Sequence, residues 1–145
     1  MERERNLAVV RGYLDEVVSK GNIAAFDLYF DADVSFNGSQ DAARKKLTGM
    51  GVLRVAFPDY HLTIEDQIAD GDTVVTRVRF RGTHRGQFNG IAPTGKQIAY
   101  PGIAMDRLVD GKVVEMWHVA SPLGLLDQIA VVVRAGVEER EISVG

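Results

Sequence analysis

The sequence predicts an α+β domain in which a curved, cone-shaped antiparallel sheet wraps around N-terminal helices. Two observations predict it. Apolar residues recur at helical spacing through the first part of the chain, up to Phe57, and from Tyr60 to Ala120 the period changes to two. Helices followed by a run of strands is the segregated α+β plan rather than an alternating one. The 145 residues carry 46% hydrophobic and 26% charged side chains, the balance of an ordinary globular domain. A chain of this size buries about two thirds of its unfolded surface, so it needs no staple of disulfides, and it has no cysteine to make one. No repeat, linker or low-complexity tract divides it, and residues 1–145 are expected to form one domain.

Each element has its own signal. Leu7, Val10, Leu14, Val17 and Val18 sit between charged positions and predict a helix over about 4–19, closed by Lys20-Gly21-Asn22. Ile23 to Tyr29 reads as a short second helix that turns Phe26 and Phe30 inward. Asp31-Ala32-Asp33 is expected to turn into a short strand over 34–37. Residues 41–57 read as a third helix with Leu47, Met50 and Leu53 on its apolar face, stopped before Pro58. Strands follow over 60–69 and 73–84, joined by Asp70-Gly71-Asp72. In the second strand Val74, Thr76, Val78 and Phe80 share one face, and Thr73, Val75, Arg77, Arg79 and Arg81 the other. A Gly-rich loop leads to a strand over 96–108, and Asp110-Gly111 turns it into another over 113–120. Ser121-Pro122 opens a last helix to about Arg134, with Ser at the cap and Pro at the first helical position.

Composition excludes several functions. The net charge of −3 has the wrong sign for a general nucleic-acid binder. The charged N-terminus does not resemble a signal peptide. The longest apolar stretch, 129–133, is far below the ~20 residues of a membrane span, so a cytoplasmic protein is expected. There is no nucleophile elbow, Walker loop or dinucleotide fingerprint. His61, His84 and His118 lie on different strands or strand ends without a second ligand at metal spacing. No metal or other cofactor is expected, and chemistry would come from ordinary side chains in an apolar pocket.

Two long motifs carry a resemblance. The run from Gly82-Thr83-His84 through Gly90-Ile91-Ala92-Pro93-Thr94-Gly95, and Asp110-Gly111-Lys112-Val113-Val114-Glu115-Met116-Trp117, are similar to signatures of the SnoaL-like polyketide cyclases. Ala56-Phe57-Pro58-Asp59 and Lys20-Gly21-Asn22 match further landmarks of that family. The resemblance implies the fold shared by nuclear transport factor 2 and ketosteroid isomerase, and a cavity for a small apolar or aromatic substrate. It also implies a catalytic Asp four residues after the Trp, where this chain has Ser121. The family's cavity histidine falls at or near Ala104. A hydroxyl does not titrate near neutral pH, so Ser121 replaces that acid only with a partner base to activate it; otherwise it caps the last helix.

Candidate chemistry therefore rests on other residues. Asp106 sits mid-strand among Ile103, Ala104, Met105 and Leu108; facing a cavity it would be a general acid or base with a raised pKa, and at a rim it would pair with Arg77 or Arg79. His118 is a natural proton shuttle, although alternation places it opposite Glu115, Trp117 and Ser121, on a possible dimer face. His84 either caps a loop or reaches the substrate. Arg79, within the Arg77–Arg81 stripe, either stabilises an oxyanion or is tied to Glu65, Asp66 or Glu115. Trp117, Tyr100, Met105, Phe36, Phe57 and Tyr13 are the expected apolar lining, with Asn37 as a polar contact. The function expected is a cofactor-independent cyclase, isomerase or lyase. Two alternatives remain, a cofactor-less hydroxylase or oxygenase partner in polyketide biosynthesis and a non-catalytic ligand-binding protein. A homodimer through the convex sheet face completes the expectation.

Overall fold

The computed structural model describes residues 2–40, 42–120 and 128–129. Helix α1 (Glu2–Tyr13) continues without a break into a π-helical stretch over Leu14–Ser19. Together they bury Leu7, Val10, Tyr13, Leu14, Val17 and Val18 as one stripe, each side chain worth roughly 1.5–3 kcal/mol when fully withdrawn from water. A widened π turn is rare and tends to occur where side chains must be re-aimed. Here it sets Leu14 and Val18 toward the interior. Gly21, at φ +74, ends the helix, and a 3₁₀ turn (Ile23–Ala25) leads into the short helix α2 (Phe26–Tyr29).

Strand β1 (Phe30–Phe36) begins earlier than the sequence suggests. It pairs in parallel with the last strand, Phe30 opposite Val113 and Ser35 opposite Glu115, and the register shift between these points takes up Asp31–Asp33. Long-range pairing thus overrides the turn propensity of the two aspartates. Asn37 (φ 50) and Gly38 (φ 87) turn β1 back into β2 (Ser39–Gln40), and two positive φ values at Asn-Gly are the signature of a tight hairpin turn. The expected third helix is two, α3 (Ala42–Gly49) and α4 (Gly51–Ala56). They part at Met50 because Gly49 and Gly51 on either side weaken the helix at that point.

Strands β3 (His61–Asp70), β4 (Thr73–Thr83), β5 (Gln97–Val109) and β6 (Lys112–Ala120) complete a sheet of order β2-β1-β6-β5-β4-β3. Every neighbouring pair is antiparallel except β1–β6, so the sheet is curved, unclosed and mixed. The faces of β4 are those expected from its sequence: Val74, Thr76, Val78 and Phe80 are buried, and Arg77 and Arg81 exposed. On β5, Ile98, Tyr100, Ala104, Asp106 and Leu108 point inward. The helices fill the concave side. The expected last helix lies outside the described residues, apart from Gln128 and Ile129, which are helical; the Gln128 amide holds the backbone of Ala99 through two hydrogen bonds.

The segment between β4 and β5 is tied down at both ends. Gly95 N–H donates to the His84 carbonyl, and the N–H groups of Arg85 and Gly86 both donate to the Ala56 carbonyl at 2.9 and 3.0 Å. Gly86 is required here, because a Cβ would lie 2.3 Å from the Val55 carbonyl oxygen. The Asp59 carboxylate accepts from Thr83 N–H (2.6 Å) and Thr83 Oγ1 (2.7 Å). The Gly-Thr-His run therefore locks the end of α4 to the end of β4 and presents Phe88 to the interior.

Candidate active site

A cavity of about 330 Å³ opens between the π-helical stretch, α3–α4 and the concave face of the sheet. That is at the lower end of the range for small-molecule sites, which are mostly apolar with a few placed polar groups. Leu14, Val18, Leu53, Phe80 and Met116 give the apolar wall. The polar groups on it are His118, Tyr60, Tyr100, Asn37, Asn89 and Lys46.

Tyr60 and Tyr100 meet hydroxyl to hydroxyl at 2.9 Å, with the Phe80 ring stacked against both at 5.6 and 4.9 Å between centroids. Burial pushes both phenols above their ordinary range, so both keep their protons at neutral pH. Two hydroxyls hold two hydrogens, and the mutual bond uses one. The other has no acceptor among the described residues and is available to a ligand oxygen.

His118 lies edge-on to Phe80, 5.8 Å away. Burial and then the positive charge of Lys46 hold its imidazole below the ordinary histidine range, so it is neutral at pH 7 and can accept a proton. Its backbone is clamped: Asn37 Oδ1 accepts from His118 N–H at 2.9 Å, and Asn37 Nδ2 donates to the His118 carbonyl at 3.2 Å. Left-handed Asn37 thus extends β1 with its side chain as well as its backbone, whose N–H donates to the Met116 carbonyl at 2.8 Å. Gly102, on the neighbouring strand, leaves the room this arrangement needs, because a Cβ there would lie 2.8 Å from the Phe80 ring and 3.1 Å from His118 Nε2.

Asp106 is fully buried one pleat beyond Ala104, on the face that Ala104 shares with the cavity. Its partner is a phenol, not an arginine: Tyr13 donates to Asp106 Oδ2 at 2.8 Å, while Oδ1 has no partner among the described residues. Burial raises the Asp106 pKa to about 7 against the opposing hydrogen bond from Tyr13, and it pushes the Tyr13 phenol well up.

The structure brings Phe36, Asn37, Tyr100 and His118 to the cavity wall and places other expected residues elsewhere. Met105 and Trp117 stand opposite each other on β5 and β6, on the convex face, 49% and 45% exposed. Alternation forbids Met105 and Asp106 from sharing a face, and the same rule sends Trp117 outward when His118 turns in. The Trp117 indole donates instead to Glu115 at 2.8 Å. Arg79 is also on the convex face, 3.2 Å from Glu65, which Arg77 meets at 2.7 Å. Phe57 is buried behind the wall against His84 and Phe88. His84 is buried too, its Nδ1 2.9 Å from Thr94 Oγ1, so it closes the loop and does not line the cavity. Ser121 lies outside the described residues. Sequence reasoning missed Tyr60 and Lys46. Tyr60 had a signal, since it continues the inward alternation of Leu62 and Ile64; Lys46 had none, lying on an exposed turn of α3. No group of three or more metal-ligating side chains exists among the described residues, and none of the described helices is long and apolar enough to cross a membrane.

Comparison with known proteins agrees with this architecture. The family model of SnoaL-like polyketide cyclases matches residues 8–129. Among solved structures, a candidate polyketide cyclase from Acidithiobacillus ferrooxidans is similar at 28% identity and TM-score 0.75, covering 88% of this chain and 95% of its own. IdmH, a candidate polyketide cyclase from Streptomyces antibioticus, is similar at 25% identity and TM-score 0.77, covering 86% and 98%. AclR, a candidate hydroxylase from Streptomyces galilaeus, shares the fold at 24% identity and TM-score 0.77, covering 94% and 92%. No curated protein matches the sequence.

Proposed function

The chain belongs to the SnoaL-like polyketide cyclase family, and from that premise we propose that its cavity binds a small, largely apolar carbonyl compound and transfers a proton beside the carbonyl. The observation that carries this reading is a neutral His118 and a Tyr60–Tyr100 hydroxyl pair on the wall of one apolar cavity. His118 takes a proton from the carbon next to the carbonyl, becoming imidazolium. The electron pair of the broken C–H bond moves into the new C=C bond, and the carbonyl oxygen becomes an enolate oxygen that accepts the free tyrosine hydrogen. Donors placed where charge develops act most strongly in a site closed to water. The imidazolium then returns the proton, either to another carbon, which is isomerisation, or to the alkoxide formed when the enolate carbon attacks a second carbonyl, which is ring closure. Asn37 is a positioning residue for His118.

His118 thus supplies a base in a chain that has Ser121 where the family resemblance implies an acid. The test is deuterium incorporation at C1 of 2-tetralone in D₂O, followed by NMR. We expect incorporation above the buffer rate, cut about a hundredfold or more in His118→Ala. Incorporation unchanged in that variant would remove His118 from the chemistry, and tight binding of 2-tetralone with no incorporation would leave a ligand-binding protein.

The same reading includes a homodimer. Ile103, Met105, Trp117 and Val119 form an exposed apolar group on the convex face, Val119 at 68%, next to the Arg77–Glu65–Arg79 and Arg107–Glu115 ion pairs. An apolar patch rimmed by charge is what a self-complementary two-fold interface presents.

A further inference from the structure

Charge is distributed unevenly between the cavity and the rest of the chain. The sequence has 20 acidic against 17 basic residues, yet among the described residues no carboxylate lines the cavity or the groove outside it. The titratable groups on the cavity wall among the described residues are His118, Tyr60, Tyr100 and Lys46. Of these, Lys46 is the one ammonium group. It belongs to both spaces: the cavity continues past Phe36, Met50 and Leu53 into an open groove on α3 and α4 that Lys45 and Lys46 also line.

The cations of α3 are not equivalent. Arg44 is held by Asp27 at 2.6 Å, with its guanidinium over the Phe26 ring at 4.3 Å. Lys46, two residues on, has no carboxylate partner among the described residues, although acidic side chains pair with lysine or arginine widely elsewhere on the surface. A lysine kept at the mouth of an apolar cavity and left without an internal counter-ion is a point charge available to whatever occupies the cavity. Asn37, Asn89 and His118 add neutral polar groups to the wall, and the rest of the described lining is apolar or phenolic.

We propose that the cavity selects an aromatic or polycyclic ligand bearing a carboxylate, with the ring system inside and the carboxylate at the mouth on Lys46. This rests on the cavity being the ligand site, as in the function proposed above, and adds the charge of the ligand. A carboxylate on Lys46 forms a charge-assisted hydrogen bond partly shielded from water, whereas a neutral group of the same shape gains only an ordinary one. An inward carboxylate is disfavoured further along by the apolar walls, so the charge also fixes which end of the ligand enters first.

The test compares 2-naphthoate with 2-naphthamide, which differ in charge and hardly in shape, by isothermal titration at pH 8 and low salt. At that pH His118 is neutral and does not contribute. Naphthoate is expected to bind about tenfold more tightly than the amide, and the preference should weaken in high salt. Lys46→Met should erase the preference by weakening naphthoate far more than the amide, and Lys46→Arg should keep it. Equal affinities for acid and amide would overturn the inference and leave the cavity as a neutral-ligand site. A preference that survives Lys46→Met, or that disappears in Lys45→Met instead, would overturn the assignment to Lys46. Failure of both probes to bind would overturn the cavity reading itself.

Discussion

Asp106 and Tyr13 meet in the interior with one hydrogen bond between them and one carboxylate oxygen unanswered among the described residues. The stability consequence has a definite sign. The folded pKa is about 7 against an ordinary value of 3.8, so between these values the folded protein holds a proton that the unfolded chain has released. Stability therefore falls as pH rises from about 4 and stops falling above about 7. A shift of about three units corresponds to roughly 4 kcal/mol at most. Asp106→Asn removes the titration while keeping an acceptor for Tyr13. Its melting temperature should exceed the parent's at pH 8, with the gap closing by pH 5; a variant that melts lower at pH 8 would mean the ionised carboxylate is held by something stronger than Tyr13. His118 gives the complementary prediction for rate. Its pKa is lowered, so proton transfer should hold its plateau from pH 8 to below pH 6.5 and decline only in more acid solution. A decline centred above pH 6.5 would point to a different base.

Strands β5 and β6 decide which of their residues reach the cavity, and their pairing brings Ala104 opposite His118 and Gly102 opposite Ala120. Gly102→Ala should crowd Phe80 and His118. Overpacking of this kind costs typically ~1–3 kcal/mol, and we expect proton transfer to fall more than melting temperature does, because the ring displaced is the base. Retained exchange in Gly102→Ala would show that His118 adjusts freely. Much at this scale was legible in the sequence. Asp110-Gly111 turns with both φ positive, and the two faces of β4 follow from alternation alone. What was not legible depended on contacts distant in sequence. Alternation made Met105 and Asp106 mutually exclusive on the inner face without saying which one turned in; Asp106 does, outside the cavity lining, and its burial follows from Tyr13, 93 residues away. The inward turn of His118 likewise needs β1 beside β6, a parallel pairing that no local pattern announces. Asn37-Gly38 carries a hairpin signal and the glycines on either side of Met50 a helix-break signal, neither of which entered the expected elements.

At the scale of the molecule, the helices cover one face of the sheet and leave the other to solvent or to a second copy. Val119→Asp places a charge in the middle of the exposed apolar group and should halve the sedimentation mass at micromolar concentration without lowering proton transfer. A monomeric parent under the same conditions would sink the dimer. The helix-then-strand order was readable from the period; the cavity was expected, but not most of its lining, since its walls come from parts of the chain as distant as Leu14 and Ala120. Trp117 is the sole tryptophan of the sequence, and it stands on that convex face rather than in the cavity. The intrinsic fluorescence of this protein is therefore an optical reporter of association and not of ligand capture. Its emission should shift to the blue on concentrating the protein, as the indole leaves water, and stay unmoved when the cavity is filled.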